Sequence, residues 1–188
     1  MKRWIKTILT LAVLFVVGTL LLNWGYDSFM KAAYPLAYKE LVTKEAAEQG
    51  VDPALVYSVI KAESNFDPEA KSHAGAMGLM QITPDTFDWL QTKLREDISY
   101  TKEDLYSPQI NIRYGCKFLQ ILQDKYSERA TALSAYNAGI GTVNTWLSNP
   151  EISQDGVTLS RIPYPETERY VSTVLRNYQK YKEIYQFE

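Results

Sequence analysis

The sequence contains very little cysteine and histidine, with one residue of each in 188. A single cysteine, Cys116, cannot form an internal disulfide. One cysteine and one histidine, His73, are too few ligands for a structural zinc site. A catalytic Cys/His pair formed by these two residues is also unconvincing. We therefore expect no metal site and no cofactor. Cys116 lies in a helical pattern and is predicted to be a small core residue.

An excess of positive charge is also missing. Three of the 20 basic residues lie in residues 1–6, which leaves 17 basic against 22 acidic residues in the remainder, a balance of −5. Proteins that bind nucleic acids carry basic patches, so we expect no nucleic-acid partner. The composition, 46% hydrophobic and 22% charged, is sufficient for one folded domain plus an additional segment.

Residues 7–26 contain no charged residue, and they follow a basic tip at residues 1–6 that holds Lys2, Arg3 and Lys6. Twenty uncharged residues can span a bilayer as a helix. A cleaved signal peptide has a similar layout, but no clear A-x-A cleavage site follows, which favours an uncleaved transmembrane anchor. In both cases the basic end stays in the cytoplasm and the remainder is exported. Residues 27–38, which include Pro35, are predicted to be a short tether to a domain at 39–188.

Almost all of that domain shows helical patterning. Gly50 is placed to end one helix, and Asp52-Pro53 to begin the next. Further helices are predicted to begin at Thr83-Pro84, at Ser107-Pro108 and near Pro165. Strand-like alternation is missing, apart from a possible short hairpin in the loop 66–80. The predicted fold class is mainly α with at most a small β element, preceded by one transmembrane helix.

Glu63 lies where the helical pattern predicts a buried side chain. It follows Val56, Val59 and Ile60 at spacings of seven, four and three residues, so all four share one helix face. Burial disfavours the charged form of a carboxyl group and raises its pKa, which suits a general acid near neutral pH. The alternative is a frayed helix end at which Glu63 turns into water.

A glycine-containing loop, KSHAGAMGLMQI at 71–82, follows this helix. Gly75 and Gly78 would allow the backbone to approach a ligand closely and to offer its amides. The loop lacks the G-x-x-x-x-G-K-[ST] pattern of phosphate-binding loops. An ordinary connection between two helices is the alternative interpretation.

Five short motifs in this order resemble the catalytic domain of the soluble lytic transglycosylases, which has a goose-type lysozyme-like fold. They are Glu63-Ser64, GLMQ at 78–81, Asn111-Ile112-x-x-Gly115, AYNAG at 135–139 and PYPETERYV at 163–171. Each motif is weak alone, but five in sequence order are specific. The resemblance covers residues 39 to 185.

The resemblance implies cleavage of the β-1,4 bond between N-acetylmuramic acid and N-acetylglucosamine in peptidoglycan. In that family one glutamate, here Glu63, first protonates the leaving oxygen. It then accepts the proton of the muramic acid C6 hydroxyl, which closes a 1,6-anhydro ring. Since the acceptor hydroxyl belongs to the substrate, one carboxyl group can serve both steps, whereas ordinary glycosidases use two.

The resemblance also implies which residues contact substrate. They are Ser72, Gln81, Tyr136, Asn137, Glu166 and Tyr170. Asn111 and Gly115 are assigned to structure, with Gly115 allowing another helix to come close. Two positions depart from the family pattern: His73 stands where proline is frequent, and Glu168 stands where arginine is usual.

Two alternatives to this function stay open at this point. A hydrolytic muramidase on the same fold would need a second carboxylate to position water, and Asp67, Asp85 and Asp88 are the nearest in sequence. An inactive wall-binding module would be expected to lack the acid, but Glu63 is present. The expected partners are peptidoglycan glycan strands and, through the N-terminal helix, the bacterial membrane. We expect a single-pass membrane protein whose catalytic domain lies on the outer side of the membrane. If the N-terminal segment is cleaved, we expect the domain to be secreted.

Overall fold

The computed structural model describes residues 2–94 and 98–187. Met1 and Glu188, at the ends of the predicted segments 1–6 and 39–188, lie outside the described residues, as do residues 95–97. The chain forms two compact units, Met1–Pro35 and Leu36–Glu188.

The first unit is one helix, α1, which spans Lys2–Ala33. Its most apolar 18-residue window has a mean hydropathy of 2.4, and the helix is long and apolar enough to cross a membrane by length and composition. The helix continues through residues 27–33, the first part of the predicted tether. No proline occurs before Pro35, and residues 34–38 separate α1 from the next helix.

The second unit is built of helices joined by loops. In chain order they are α2 (Lys39–Gln49), α3 (Pro53–Glu63), α4 (Pro84–Leu94), a 3-10 helix (Lys102–Tyr106), α5 (Pro108–Lys125), α6 (Arg129–Ala138), α7 (Ile140–Leu147) and α8 (Pro165–Ile184). Within the described residues, 2–94 and 98–187, no β-strand forms. Two isolated antiparallel bridges, Lys71 with Met77 and Met77 with Ile82, occupy the loop in which a hairpin was considered. The predicted mainly α fold class is therefore confirmed.

The predicted helix boundaries follow from their capping residues. Gly50 ends α2 with φ of 66°, a left-handed conformation that glycine adopts without steric cost. Asp52 begins α3, and its carboxylate accepts a hydrogen bond of 2.9 Å from the amide of Ala54. The same carboxylate accepts a 2.6 Å hydrogen bond from the Tyr178 hydroxyl of α8, so the start of α3 is tied to α8.

Helix α3 is the element of this unit that carries Glu63, and most of it is enclosed by other parts of the unit. It packs against α2 and α8, while α5 packs against α2, α4, α6 and the 3-10 helix. Residues 54–60 of α3 are all buried. A helix enclosed in this way has little freedom to shift, and its C-terminal residue, Glu63, is therefore held in a fixed position.

Candidate active site

Glu63 is the last residue of α3, directly beyond the buried face of that helix. Val56, Val59 and Ile60, on the face that was predicted to carry Glu63, are fully buried. The helical period therefore brings the carboxyl group to the edge of the core. Glu63 itself is half-buried.

The chain turns away from α3 immediately after Glu63. The Ser64 hydroxyl donates a hydrogen bond of 2.8 Å to the carbonyl of Leu79 and accepts one of 3.1 Å from the amide of Phe66. Asn65 and Phe66 both have positive φ, 49° and 70°, which is uncommon for residues other than glycine. Ser64 thus joins the end of α3 to the loop that carries GLMQ.

Asn111 of α5 fixes that loop from the other side. Its fully buried side chain accepts a 2.7 Å hydrogen bond from the amide of Met80. It also donates hydrogen bonds of 2.9 and 2.8 Å to the carbonyls of Met77 and Leu105. The assignment of Asn111 to structure agrees with these contacts, because buried backbone groups of a loop need partners of this kind.

The glycines of this region serve close packing within the protein. A Cβ atom at Gly78 would lie 2.2 Å from the Asn111 side chain, and one at Gly115 would lie 2.1 Å from the sulfur of Met80. Gly115 therefore makes room for the loop and not, as predicted, for another helix. The amides of Gly75 and Gly78 donate to the carbonyls of Ser72 and Ala70. The expectation that these amides face a ligand was therefore wrong, since the loop's own carbonyls accept their protons.

Burial raises the pKa of the Glu63 carboxyl to about 7, because protein atoms replace the water that would solvate its charge. The buried hydroxyl of Tyr170 on α8 acts in the opposite direction and lowers the pKa of Glu63 by interacting with the carboxylate. No hydrogen bond of ordinary length and angle engages this hydroxyl among the described residues. Glu63 thus changes its protonation state near neutral pH.

Tyr136 of α6 completes the apolar surroundings of this carboxyl group. Its hydroxyl donates a 2.8 Å hydrogen bond to the carbonyl of Met80. Its ring stacks on that of Tyr170, with ring centres 6.4 Å apart and an angle of 11° between the planes. Burial and the nearby Glu63 carboxylate both raise the pKa of the Tyr136 hydroxyl. Tyr136 therefore stays neutral and supports both the loop and Tyr170.

Glu63 lines a cleft of about 430 Å³ that lies between the loop 71–82, α6 and the start of α8. The lining residues are Glu63, Ser72, His73, Ala74, Ala76, Gln81, Thr83, Tyr136, Asn137 and Glu166. A second cavity of about 400 Å³ shares Thr83, Tyr136 and Asn137 with this cleft and continues toward Trp89 and Phe118. The two cavities therefore adjoin each other, because these three residues line both of them.

The cleft brings together most of the residues predicted to contact substrate. Ser72, Gln81, Tyr136, Asn137 and Glu166 line it with Glu63. Tyr170 is not among the lining residues, although it stacks on the Tyr136 ring and interacts with the Glu63 carboxyl group.

Several of these side chains also hold the cleft in shape. The Gln81 amide donates hydrogen bonds of 3.0 and 2.9 Å to the carbonyls of Ala70 and Gly78. Gln81 has a φ of 48°. The Asn137 side chain accepts a 2.7 Å hydrogen bond from the Thr167 hydroxyl, which joins α6 to α8. Gln81 and Asn137 therefore combine a place in the cleft with a structural role.

The sequence patterns did not identify Thr83, Trp89 and Phe118 as residues that line the second cavity. Thr83 was interpreted only as a helix start, which it is, because its hydroxyl accepts a hydrogen bond from the amide of Thr86. An aromatic residue on an amphipathic helix is usually a core residue, so no local signal separates Trp89 or Phe118 from the core.

Comparisons with known proteins agree with this geometry. Residues 40–156 match the transglycosylase SLT domain family. The soluble lytic murein transglycosylase of Salmonella typhimurium is 34% identical over 148 residues, which cover 78% of this chain and 23% of that protein. The membrane-bound lytic murein transglycosylase C of Haemophilus influenzae is 38% identical over 116 residues, 56% of this chain and 32% of that protein.

Solved structures show the same likeness. The 70 kDa soluble lytic transglycosylase of Escherichia coli superimposes with a TM-score of 0.72 at 29% identity, over 82% of this chain and 25% of that one. An inactive mutant of the lytic transglycosylase Slt of Pseudomonas aeruginosa gives a TM-score of 0.70 at 27% identity, with the same coverage. The chain spans about a quarter of the length of these relatives. With its helical fold, its half-buried glutamate and a family match over most of the second unit, this chain belongs to the transglycosylase SLT domain family.

Proposed function

We propose that the protein is a peptidoglycan lytic transglycosylase with Glu63 as its catalytic residue. It cleaves the β-1,4 bond between N-acetylmuramic acid and N-acetylglucosamine and leaves a 1,6-anhydromuramic acid end. The relatives named above are lytic murein transglycosylases, and one solved relative is an inactive mutant in which a glutamate is replaced by glutamine. These names support the activity.

The observation that carries the proposal is the burial-raised pKa of Glu63, about 7, beside a cleft lined by polar side chains. A glutamate with an ordinary pKa would be almost fully ionised at neutral pH and could not donate a proton. With its pKa raised to about 7, Glu63 has a protonated form available at neutral pH, which matches the requirement for a general acid.

The reaction then needs two proton transfers at one carboxyl group. In the first, Glu63 gives its proton to the glycosidic oxygen as the bond from that oxygen to C1 of muramic acid breaks. In the second, the Glu63 carboxylate accepts the proton of the C6 hydroxyl as the C6 oxygen forms a bond to C1. The proton count of the enzyme is restored, and no water is consumed. Tyr170 stabilises the carboxylate between the two steps.

The remaining residues of the cleft position the glycan strand. Ser72, Gln81, Asn137 and Glu166 line the cleft, which supports a role for their polar atoms in contacts with sugar hydroxyl and acetamido groups. Tyr136 keeps its hydroxyl on the Met80 carbonyl and offers its ring to the cleft. We assign it to shaping the site around the scissile bond.

Helix α1 anchors the enzyme in the bacterial membrane. Its length, hydropathy and basic tip at residues 1–6 favour insertion with the N-terminus in the cytoplasm. This orientation places the catalytic unit on the outer side, where peptidoglycan lies. The membrane-bound relative from Haemophilus influenzae is consistent with this location.

The test is mass spectrometry of the fragments that the full-length protein, in non-ionic detergent, releases from purified peptidoglycan. Fragments one water lighter than hydrolysis products would support the proposal. Glu63→Gln should abolish their release, while Glu69→Gln, an exposed control of the same chemical change, should not. Fragments with reducing ends would refute transglycosylation. They would indicate hydrolysis, with Glu166, which also lines the cleft, as the candidate second carboxylate.

A further inference from the structure

Thr167 ties together the ends of two helices that border the cleft. It lies in the first turn of α8 and is buried, with 2% of its surface exposed. Its hydroxyl donates a 2.7 Å hydrogen bond to Oδ1 of Asn137, in the last turn of α6. The two residues are 30 positions apart in sequence, so only the packing of α6 against α8 brings them together.

Asn137 is the residue on which this hydrogen bond acts. It is exposed and lines both the cleft and the adjoining cavity. Helix α6 ends one residue later, at Ala138. An exposed side chain at a helix end ordinarily samples several rotamers. The bond from the buried Thr167 hydroxyl holds the Asn137 side chain in one of them.

The same bond decides which end of the Asn137 amide is left for the cleft. A side-chain amide has one accepting oxygen and one NH₂ group, which point in different directions. Since Oδ1 is bonded to Thr167, the NH₂ group is directed away from that hydroxyl. Among residues 2–94 and 98–187, no acceptor binds this NH₂ group. The lining therefore presents a free N–H donor at this position, which suits an acceptor oxygen of a ligand.

We propose that Thr167 is a positioning residue that fixes the Asn137 amide with its N–H donors toward the cleft and acts on substrate only through Asn137. This inference rests on the proposed function for the substrate that fills the cleft. Without the bond, each binding event would have to order the Asn137 side chain. The cost of immobilising one such side chain predicts an affinity about two- to ten-fold weaker. Thr167 is not among the lining residues and takes no part in the proton transfers.

The experiment measures binding separately from turnover. The full-length Glu63→Gln protein in non-ionic detergent is co-sedimented with purified insoluble peptidoglycan, and substitutions at Thr167 are added to this parent. Thr167→Val removes the hydroxyl and keeps the side-chain shape, and Thr167→Ala removes it without the second methyl group. Both should bind about two- to ten-fold more weakly than the parent. Thr167→Ser keeps the hydroxyl and should bind as the parent does.

Thr131 provides a matched control on the same helix. It is fully buried in the first turn of α6, and its hydroxyl donates a 2.6 Å hydrogen bond to the Glu128 carboxylate. Thr131→Val thus removes a buried hydroxyl at the end of α6 that lies away from Asn137. Thr131→Val and Thr167→Val should lose comparable stability in urea titrations, but only Thr167→Val should lose affinity. Equal losses of affinity would refute the proposal, because they would follow from stability alone.

A double substitution tests whether Thr167 acts through Asn137. Asn137→Ala should itself weaken binding, and adding Thr167→Val to it should have no further effect, because the group that Thr167 positions is already gone. A second loss as large as that of Thr167→Val alone would refute the proposal. So would full affinity of both Thr167→Val and Thr167→Ala. Absence of binding by the parent also refutes it, because a strand in the cleft is its premise.

The two proposals can fail separately. If the unmodified protein releases anhydro fragments while affinity does not depend on Thr167, only the positioning role falls. If affinity depends on Thr167 through Asn137 but no anhydro fragments appear, the positioning role stands and the proposed reaction falls.

Discussion

Replacing Glu63 by glutamine should stabilise the folded protein at alkaline pH, even though it is expected to abolish activity. Burial beside the cleft favours the neutral form of the Glu63 carboxyl and raises its pKa to about 7 from an ordinary value of 4.5. Above pH 7 the folded protein must ionise this group in poor solvation. Glutamine has the same shape and never ionises, so it avoids that cost.

The direction of this pH dependence follows from the pKa values of Glu63 in the folded and in the unfolded protein. Below pH 4.5 the carboxyl is neutral in both folded and unfolded protein, and its full contribution to stability is present. Between pH 4.5 and 7 only the unfolded chain releases the proton, so stability falls as pH rises, and above 7 the loss is complete. The two pKa values differ by about 2.5, which corresponds to about 3 kcal/mol. Because part of Glu63 is exposed to water, we expect a smaller effect of about 2 kcal/mol.

The assay is urea unfolding of the full-length protein in non-ionic detergent, followed by circular dichroism at pH 4.5 and pH 8. The stability difference between Glu63→Gln and the unmodified protein should shift by about 2 kcal/mol in favour of the variant between these pH values. Glu69→Gln, which changes an exposed glutamate of the adjacent loop, should show no such shift. A Glu63→Gln difference that is the same at both pH values would refute the raised pKa and with it the general-acid argument.

Three further outcomes follow from the same structure. Tyr170→Phe removes a hydroxyl that lowers the pKa of Glu63, so this pKa should rise and the alkaline limb of the pH profile of kcat/KM should move to higher pH. An unmoved limb would show that the hydroxyl does not act on Glu63. Asn111→Ala leaves buried backbone groups of the loop without partners and should lower the free energy of unfolding by about 3 kcal/mol in urea titrations; a loss below about 1 kcal/mol would contradict the role of Asn111 as the loop's anchor. Helix α1 should keep the uncleaved protein in the membrane pellet after alkaline carbonate washing, and release of a shortened protein would indicate a cleaved signal peptide.

Local chemistry explains why so much of the fold was predictable. Gly50 and Asp52 end and begin helices because their backbone and side-chain preferences act within a few residues. The apolar run in α1 is likewise a property of adjacent residues. Helical spacing alone placed Glu63 on the buried face of α3, and burial of that face accounts for the raised pKa of Glu63.

The cleft itself depends on contacts between distant parts of the chain. Tyr136 donates to the carbonyl of Met80, 56 residues away in sequence, and Asn111 accepts from the same residue's amide. The sequence motifs placed Tyr136 at the site but gave no sign of its partner. Gly78, which was expected to face a ligand, instead lies against Asn111 because helix α5 packs over the loop.

The sequence by itself determined where most helices of the second unit begin, that the N-terminal segment is apolar, and that Glu63 lies on a buried face, because each of these is set by short-range periodicity and capping. Only the tertiary structure decided that Tyr170 reaches the Glu63 carboxyl and that the loop amides bond within the protein. Those contacts join α3, α6, α8 and the loop, and they exist only once packing of the core has brought these separate elements together.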